Sequence, residues 1–208
     1  MICRGNVSYH PKSFEQSACC RLRGSRPFIH LSPEPEQLVM NPTAIAQYWQ
    51  NYLQTLTLAM DRSVPYLVDQ FGDTPELANE LGQLVLNGTK TATCSTLWEW
   101  QAEAEPLPTV GIHTIVVNGD GQPLCIIQTT EVSIRAFNEV DAQFAYNEGE
   151  GDLTLASWRQ MHWQYFVRVL PHIGKVPTLD MPLVCERFRV VFPSITSSTA
   201  SASSSSLS

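Results

Sequence analysis

The chain has 208 residues, of which 43% are hydrophobic and 16% are charged, and its formal net charge at pH 7 is −7. This length can build one domain with a full core, and the acidic balance excludes nucleic-acid binding through bulk charge alone. No apolar run approaches the roughly 18 residues that span a bilayer, and the first residues lack a continuous apolar h-region. We therefore expect no secretory signal and a cytoplasmic protein without membrane contact.

The two ends of the chain differ in composition from its middle. Residues 1–39 mix arginine, cysteine, serine and proline without periodicity, and residues 194–208 are almost all Ser, Thr and Ala. Such segments bury too little apolar surface to fold on their own. We predict that 1–39 is a disordered or non-native extension, that 40–193 forms one domain, and that 194–208 is a disordered tail.

Helical patterns open the predicted domain. Apolar residues recur every three or four positions in 43–58, which predicts an amphipathic helix. The stretch 62–72 is interpreted as a linker. Thr74-Pro75 is a typical helix start, because threonine caps the first turn and proline suits the first helical position. This second helix runs to Gly88, which we expect to end it in a left-handed conformation.

The second half alternates between β-prone and helical patterns. Threonine-rich and β-branched runs predict four strands, two of them joined by a hairpin turn at 118–121. Helices around four or more strands favour an α+β fold with a small barrel or a strongly curled sheet. The strands are predicted at 91–98, 112–117, 124–137 and 184–192, the helices at 139–146 and 155–170, and acidic loops at 99–111 and 147–152.

Six cysteines are spread along the chain, at Cys3, Cys19, Cys20, Cys94, Cys125 and Cys185. None forms a CxxC pair and the histidines are scattered, so the sequence predicts no metal and no other cofactor. Cys125 and Cys185 lie in strand-like runs, where a free cysteine acts as a small buried apolar residue. Unpaired thiols fit a reducing cytoplasm.

Several motifs in chain order resemble the ASCH-domain family, in its longer, helix-extended branch. They are Phe71-Gly72-Asp73-Thr74-Pro75-Glu76-Leu77-Ala78, Gly88-Thr89-Lys90-Thr91-Ala92-Thr93-Cys94-Ser95, Glu148-Gly149-Glu150-Gly151-Asp152, Trp158-Arg159 with His162, and Met181-Pro182-Leu183-Val184-Cys185-Glu186-Arg187-Phe188. The resemblance implies a PUA-like β-barrel, a fold shared with RNA-binding modules. It also implies one of several activities, because some members deacetylate N4-acetylcytidine and others are described as ribonucleases or RNA-binding proteins.

The resemblance also implies where the functional residues lie. The family's lysine and threonine occur in a G-x-K-x-x-T pattern, which falls on Gly88, Lys90 and Thr93. Small amidohydrolases of the family often carry an arginine two positions after the threonine. Here that position is Ser95, so recognition of an anionic or carbonyl group is expected to differ.

In the catalytic interpretation Thr93 is a nucleophile. A threonine hydroxyl needs a neighbouring base, and a desolvated Lys90 with a lowered pKa can serve. Either Glu148 or Glu150, the two matches to the family's glutamate, would protonate the leaving amine. The alternative is a charged Lys90 that holds phosphate or a base carbonyl, favoured by the preceding helix C-terminus. A solvent-facing lysine beside a solvated acidic loop is the purely structural alternative.

Other side chains extend the predicted site. Glu186 shares an apolar strand face, where a carboxylate must be paired or lie at a rim, so it belongs either to an ion pair or to the site. A stacking platform for a base, or core packing, is the candidate role of four tryptophans, Trp98, Trp100, Trp158 and Trp163. His162 is either a hydrogen-bonded core residue or a general acid. The predicted binding residues are Gly88, Thr91, Ser95, Trp98, Arg159, His162, Glu186 and Arg187.

The sequence thus predicts a domain that recognises RNA or a modified nucleoside through a Lys/Thr/Glu cleft. Hydrolysis of an N4-acylated cytidine, or cleavage of RNA, is the enzymatic alternative. A regulatory interaction module that acts through its acidic face is the third possibility. RNA or a nucleoside is the expected partner, neither DNA nor a membrane is expected, and the oligomeric state is not predicted.

Overall fold

A computed structural model of the protein describes residues 2–3, 41–56 and 64–193. The segments predicted to be disordered, 1–39 and 194–208, lie outside the described residues, apart from residues 2–3. In the described ranges, no helix combines the length and the apolar character that a membrane crossing requires.

The described part of the chain contains one mixed sheet with helices packed around it. The strands are β1 Ile2–Cys3, β2 Tyr66–Phe71, β3 Ala92–Thr96, β4 His113–Val117, β5 Pro123–Ala136 and β6 Pro182–Phe192, and the α-helices are α1 Pro42–Thr55, α2 Pro75–Leu86, α3 Leu97–Glu103, α4 Ala142–Glu148 and α5 Leu155–Val169. The strands follow the order β1-β2-β4-β5-β6-β3 in the sheet, and β2 to β6 curl into a half-barrel, which confirms the predicted α+β fold. All neighbouring strands are antiparallel except β2 and β4, which are parallel.

Two of the sequence predictions are wrong. The presumed linker 62–72 contains β2, which is buried along nearly its whole length because it pairs with β4 inside the sheet. The β-prone segment 91–98 ends early, because Thr96 and Glu99 form a capping box that starts α3. The backbone N–H of Glu99 donates to the Thr96 hydroxyl at 3.3 Å, and that of Thr96 donates to the Glu99 carboxylate at 2.8 Å. Part of the predicted loop 99–111 is therefore helical.

Three apolar clusters hold the helices on the sheet. The first joins α4 and α5 to β3 and β6, the second joins α1 to β2, β4 and β5, and the third joins α2 to the middle of the sheet. Cys125 and Cys185 are buried in these clusters as free thiols, as predicted. The region between the first and third clusters, where α2 gives way to β3, holds the residues of the candidate site.

Candidate functional site: a buried ion-pair cluster beside a small cleft

Lys90 occupies the turn between α2 and β3. Gly88 adopts a left-handed conformation, with φ +75°, and ends the helix as predicted. The backbone N–H groups of Thr89 and Lys90 then both donate to the carbonyl of Leu84, at 2.9 and 3.0 Å. This turn directs the Lys90 side chain into the interior, where it is fully buried.

The end of α4 brings two carboxylates to this lysine. Nζ of Lys90 donates to Oε2 of Glu148 and to Oε1 of Glu150, each at 2.6 Å. Gly149 between them has φ +72°, and a Cβ there would lie 2.7 Å from the carbonyl oxygen of Thr89. Only glycine therefore allows the two backbones to approach this closely.

Burial and ion pairing act in opposite directions on this triad. Burial alone would lower the pKa of Lys90, but the charges of Glu148 and Glu150 outweigh it, so its pKa is raised. Burial would raise the pKa of both carboxyl groups, but the ammonium of Lys90 lowers them, that of Glu148 well below its ordinary value. The triad is therefore ionised at neutral pH, which supports the charged alternative for Lys90 and opposes its use as a base.

His162 and Cys94 adjoin the same carboxylate. Nδ1 of His162 donates to the carbonyl of Trp158 at 2.9 Å, and its Nε2 lies 3.5 Å from Oε1 of Glu148. Potential ligand atoms of Cys94, Glu148 and His162 all lie within 4.8 Å of one another, and all three residues are buried. Burial, followed by the charge of Glu148, raises the pKa of the Cys94 thiol well above its ordinary value.

Thr93 points to the opposite face of β3 from Cys94, because successive strand residues alternate between the two faces, and it lines a small, partly enclosed cleft. Its cross-strand partner in β6 is Glu186, which lines the same cleft. The hydroxyl of Thr129 donates to Oε2 of Glu186 at 3.3 Å. The cleft is lined by Leu67, Asp69, Phe71, Thr93, Trp100, Pro108, Thr114, Ile127, Thr129, Glu186 and Phe188.

The cleft walls combine carboxylates with aromatic rings. Asp69 and Glu186 are 7% and 8% exposed, and the lining contains no lysine or arginine. Phe71, which lines the cleft, also has its ring centroid 5.6 Å from Nζ of Lys90. The buried triad therefore lies beside the cleft without lining it. Such a surface can accept hydrogen bonds from N–H groups and can pack against a flat ring.

Residues 67–192 match the family model described as the ASCH domain. The chain belongs to the ASCH-domain family. A crystal structure of an ASCH domain from Lactobacillus crispatus JV V101 is 34% identical, with a TM-score of 0.68, and the match covers 73% of this chain and 95% of that one. The structure of protein EF3133 from Enterococcus faecalis V583 is 41% identical in sequence, with a TM-score of 0.64, and the match covers 72% of this chain and 88% of that one. None of the curated proteins compared with the chain matches it.

The ASCH domain has a PUA-like fold, as the resemblance implied. Its structure separates the predicted catalytic residues into two groups. Lys90, Glu148 and Glu150 form the buried triad, whereas Thr93 belongs to the cleft.

The remaining predicted binding residues of this ASCH domain lie outside the cleft lining. Arg159 is exposed and donates to the carbonyl of Asn138 at 3.1 Å. Arg187 lies 3.4 Å from a carboxylate oxygen of Glu131, on the other face of β6 from Glu186. Trp98 packs against the cluster of α4 and α5.

Two hydroxyl residues beside Thr93 contact neighbouring segments and do not line the cleft themselves. The Thr91 hydroxyl is 3.4 Å from the carbonyl of Asn147, and the Ser95 hydroxyl accepts from the indole Nε1 of Trp100 at 3.0 Å. Both contacts fix neighbouring segments, since Asn147 belongs to α4 and Trp100 to a cleft wall.

Sequence reasoning missed Asp69 and misplaced Trp100, two residues that line the cleft of the ASCH domain. Asp69 fell in the presumed linker, and Trp100, although a candidate stacking residue, fell in the presumed acidic loop. A weak signal was present in the segment 66–71, where Asp69 and Gln70 interrupt an apolar, β-prone run. A carboxylate in such a strand must be paired or lie at a site, the argument already applied to Glu186.

Proposed function

We propose that this ASCH domain binds a nucleoside, or an unpaired base of RNA, in the cleft between Thr93 and Trp100. The supporting observation is that two nearly buried carboxylates, Asp69 and Glu186, line the same cleft as several aromatic rings. Nucleobases present amino and ring N–H donors along one edge and a flat face, and RNA-binding proteins use hydrogen bonds and stacking for these two features. The association of the family with RNA-binding modules points in the same direction.

The charge of the cleft favours recognition of the base over recognition of phosphate. Two carboxylates without a lining cation repel a phosphate group, whereas a carboxylate accepts hydrogen bonds from amino groups. Any phosphate of a longer ligand would have to lie outside the cleft.

Hydrolysis of an N4-acylated cytidine is the second candidate function. It is favoured by the register of β3 and β6, which places Glu186 opposite Thr93 at the same cleft. The Thr93 hydroxyl would attack the acyl carbon while Glu186 accepts its proton, and that proton would leave with the cytidine amine. Water would then release the acyl group as a carboxylic acid. Lys90, an ammonium bound to two carboxylates outside the cleft lining, would not act as the base.

Binding is tested by calorimetric titration of the full chain with cytidine, N4-acetylcytidine, guanosine and inorganic phosphate. We expect at least one nucleoside to bind and phosphate not to bind. Glu186→Gln should weaken nucleoside binding about tenfold or more, because a hydrogen bond to a charged group contributes about 1.5–3 kcal/mol. Glu131→Gln, which alters a half-exposed carboxylate on β5, is the matched control and should leave affinity unchanged. Tighter binding of phosphate than of any nucleoside would contradict the proposal.

Turnover is tested by chromatography of N4-acetylcytidine incubated with the wild type and with Thr93→Val. Deacetylation that is lost in Thr93→Val while the nucleoside still binds supports the enzyme. Binding without turnover in the wild type supports a binding module. If the wild type neither binds nor converts any nucleoside, the proposal fails. The remaining hypothesis is then a regulatory interaction module, and co-purification of a partner protein tests it.

A further inference from the structure

We infer that Cys94, Glu148 and His162 form a binding site for one zinc ion, distinct from the cleft. The three residues come from β3, α4 and α5, so a shared ion would connect three elements of the core. Their side chains offer a sulfur, a carboxylate oxygen and an imidazole nitrogen. This mixture is typical of zinc sites, whereas Mg²⁺ and Ca²⁺ take oxygen ligands.

The spacing of the donor atoms suits a shared metal ion. Nε2 of His162 and Oε1 of Glu148 are 3.5 Å apart, which exceeds the usual length of a hydrogen bond. Two such ligands on a tetrahedral zinc ion, with bonds of about 2.1 Å, lie about 3.4 Å apart. The donor atoms of all three residues lie within 4.8 Å of one another, so Cys94 reaches the ion with a side-chain adjustment of about 1 Å.

The histidine is oriented for coordination through Nε2. A carbonyl can only accept a hydrogen bond, so the contact with the Trp158 carbonyl places a proton on Nδ1. Nε2 is buried without a hydrogen-bond partner among the described residues, and it faces Glu148. Zinc-binding histidines typically donate their other N–H to a carbonyl or carboxylate in this way.

The carboxylate is oriented by a second neighbour. Lys90 binds Oε2 of Glu148, which directs Oε1 towards His162. The ring of His162 is also stacked on Trp158, with centroids 4.1 Å apart, so its plane is fixed. Two of the three ligands are therefore held in position by surrounding groups before an ion arrives.

Charge balance gives a reason for the ion to be retained. Zinc and Lys90 would together contribute three positive charges, and the thiolate of Cys94 with the carboxylates of Glu148 and Glu150 three negative charges. The occupied cluster would be neutral, which matters because net charge is costly in a buried position. Binding displaces the thiol proton of Cys94 into solvent.

The first experiment measures metal binding by the full chain. Chelator-treated protein is titrated with Zn²⁺ and with Co²⁺, both in the native state and after refolding with the ion, because the cluster is buried. We expect one equivalent to bind, a higher melting temperature, and a thiolate-to-Co²⁺ absorption band. The inference is overturned if the wild type binds neither Zn²⁺ nor Co²⁺, both in the native state and after refolding.

Variants locate the site. Cys94→Ser should remove the thiolate band and His162→Gln should weaken Zn²⁺ binding at least tenfold, whereas Cys125→Ser, at a buried free cysteine outside the cluster, should leave both unchanged. An unchanged band in Cys94→Ser overturns the inference. If Cys94→Ser does not fold, X-ray absorption of the zinc-loaded wild type decides. One sulfur among nitrogen and oxygen neighbours supports the site, and no sulfur overturns it.

Discussion

Lys90 and Glu148 are 58 positions apart in the chain, yet Nζ of the lysine donates to Oε2 of the glutamate at 2.6 Å, with both side chains fully buried. Glu150 adds a second carboxylate at the same distance. The triad therefore connects the start of β3 to the end of α4. Its ionic groups are stable in the interior only as long as all partners are present.

Lys90→Met should destabilise the protein by about 3–5 kcal/mol, because it leaves two buried carboxylates without a counter-charge. The measurement is urea unfolding followed by circular dichroism. Lys175→Met is the control, since Lys175 is exposed and removing it should change stability by less than about 0.5 kcal/mol. Equal effects of the two substitutions would show that the ion pairs contribute nothing.

Gly149→Ala should destabilise the protein more than Gly174→Ala. Both glycines have positive φ, of +72° and +68°, so both substitutions incur the strain of a left-handed backbone, about 1–2 kcal/mol. Only at Gly149 would the new Cβ also lie 2.7 Å from the carbonyl oxygen of Thr89, whereas nothing lies within 4 Å at Gly174. The difference in melting temperature between the two variants isolates the close approach, and no difference would contradict it.

His113 should make stability fall as the pH drops below about 6.5. Burial, with a smaller contribution from the charge of Arg189, lowers the pKa of this histidine. Between its folded and unfolded pKa values the unfolded chain binds more protons, so the free energy of unfolding decreases with decreasing pH in that window. Above the unfolded value the effect is absent.

The pH dependence is measured by urea unfolding at pH 7.5 and pH 5.5. His113→Gln should reduce the loss of stability between these two conditions. His172→Gln, at an exposed histidine, is the control and should retain the loss. The prediction fails if His113→Gln leaves the difference between the two pH values unchanged.

Trp100→Leu should weaken nucleoside binding by about 1 kcal/mol or more, because it removes a flat wall of the cleft on which a base can stack. Trp98→Leu is the matched control. That tryptophan packs against the cluster of α4 and α5 and does not line the cleft. Fluorescence or calorimetric titration of both variants measures the difference, and equal affinities would exclude Trp100 from the binding surface.

The sequence by itself determined the elements whose signals are local. Thr74-Pro75 and Gly88 delimit α2, the turn at 118–121 separates β4 from β5, and the apolar pattern after Leu155 gives α5. Each of these signals acts over a few residues through capping, backbone conformation or side-chain periodicity. The family motifs added the overall fold.

Only the tertiary structure decided how the candidate residues are grouped. Lys90 and Thr93 are neighbours in sequence, but the turn before β3 buries one and the strand presents the other to the cleft. The strand β2, with Asp69, gave only a weak local signal because Asp69 and Gln70 interrupt its apolar run, and its place in the sheet is set by pairing with β4. The charge of Lys90 likewise depends on carboxylates 58 and 60 positions away, and no local pattern encodes such a contact.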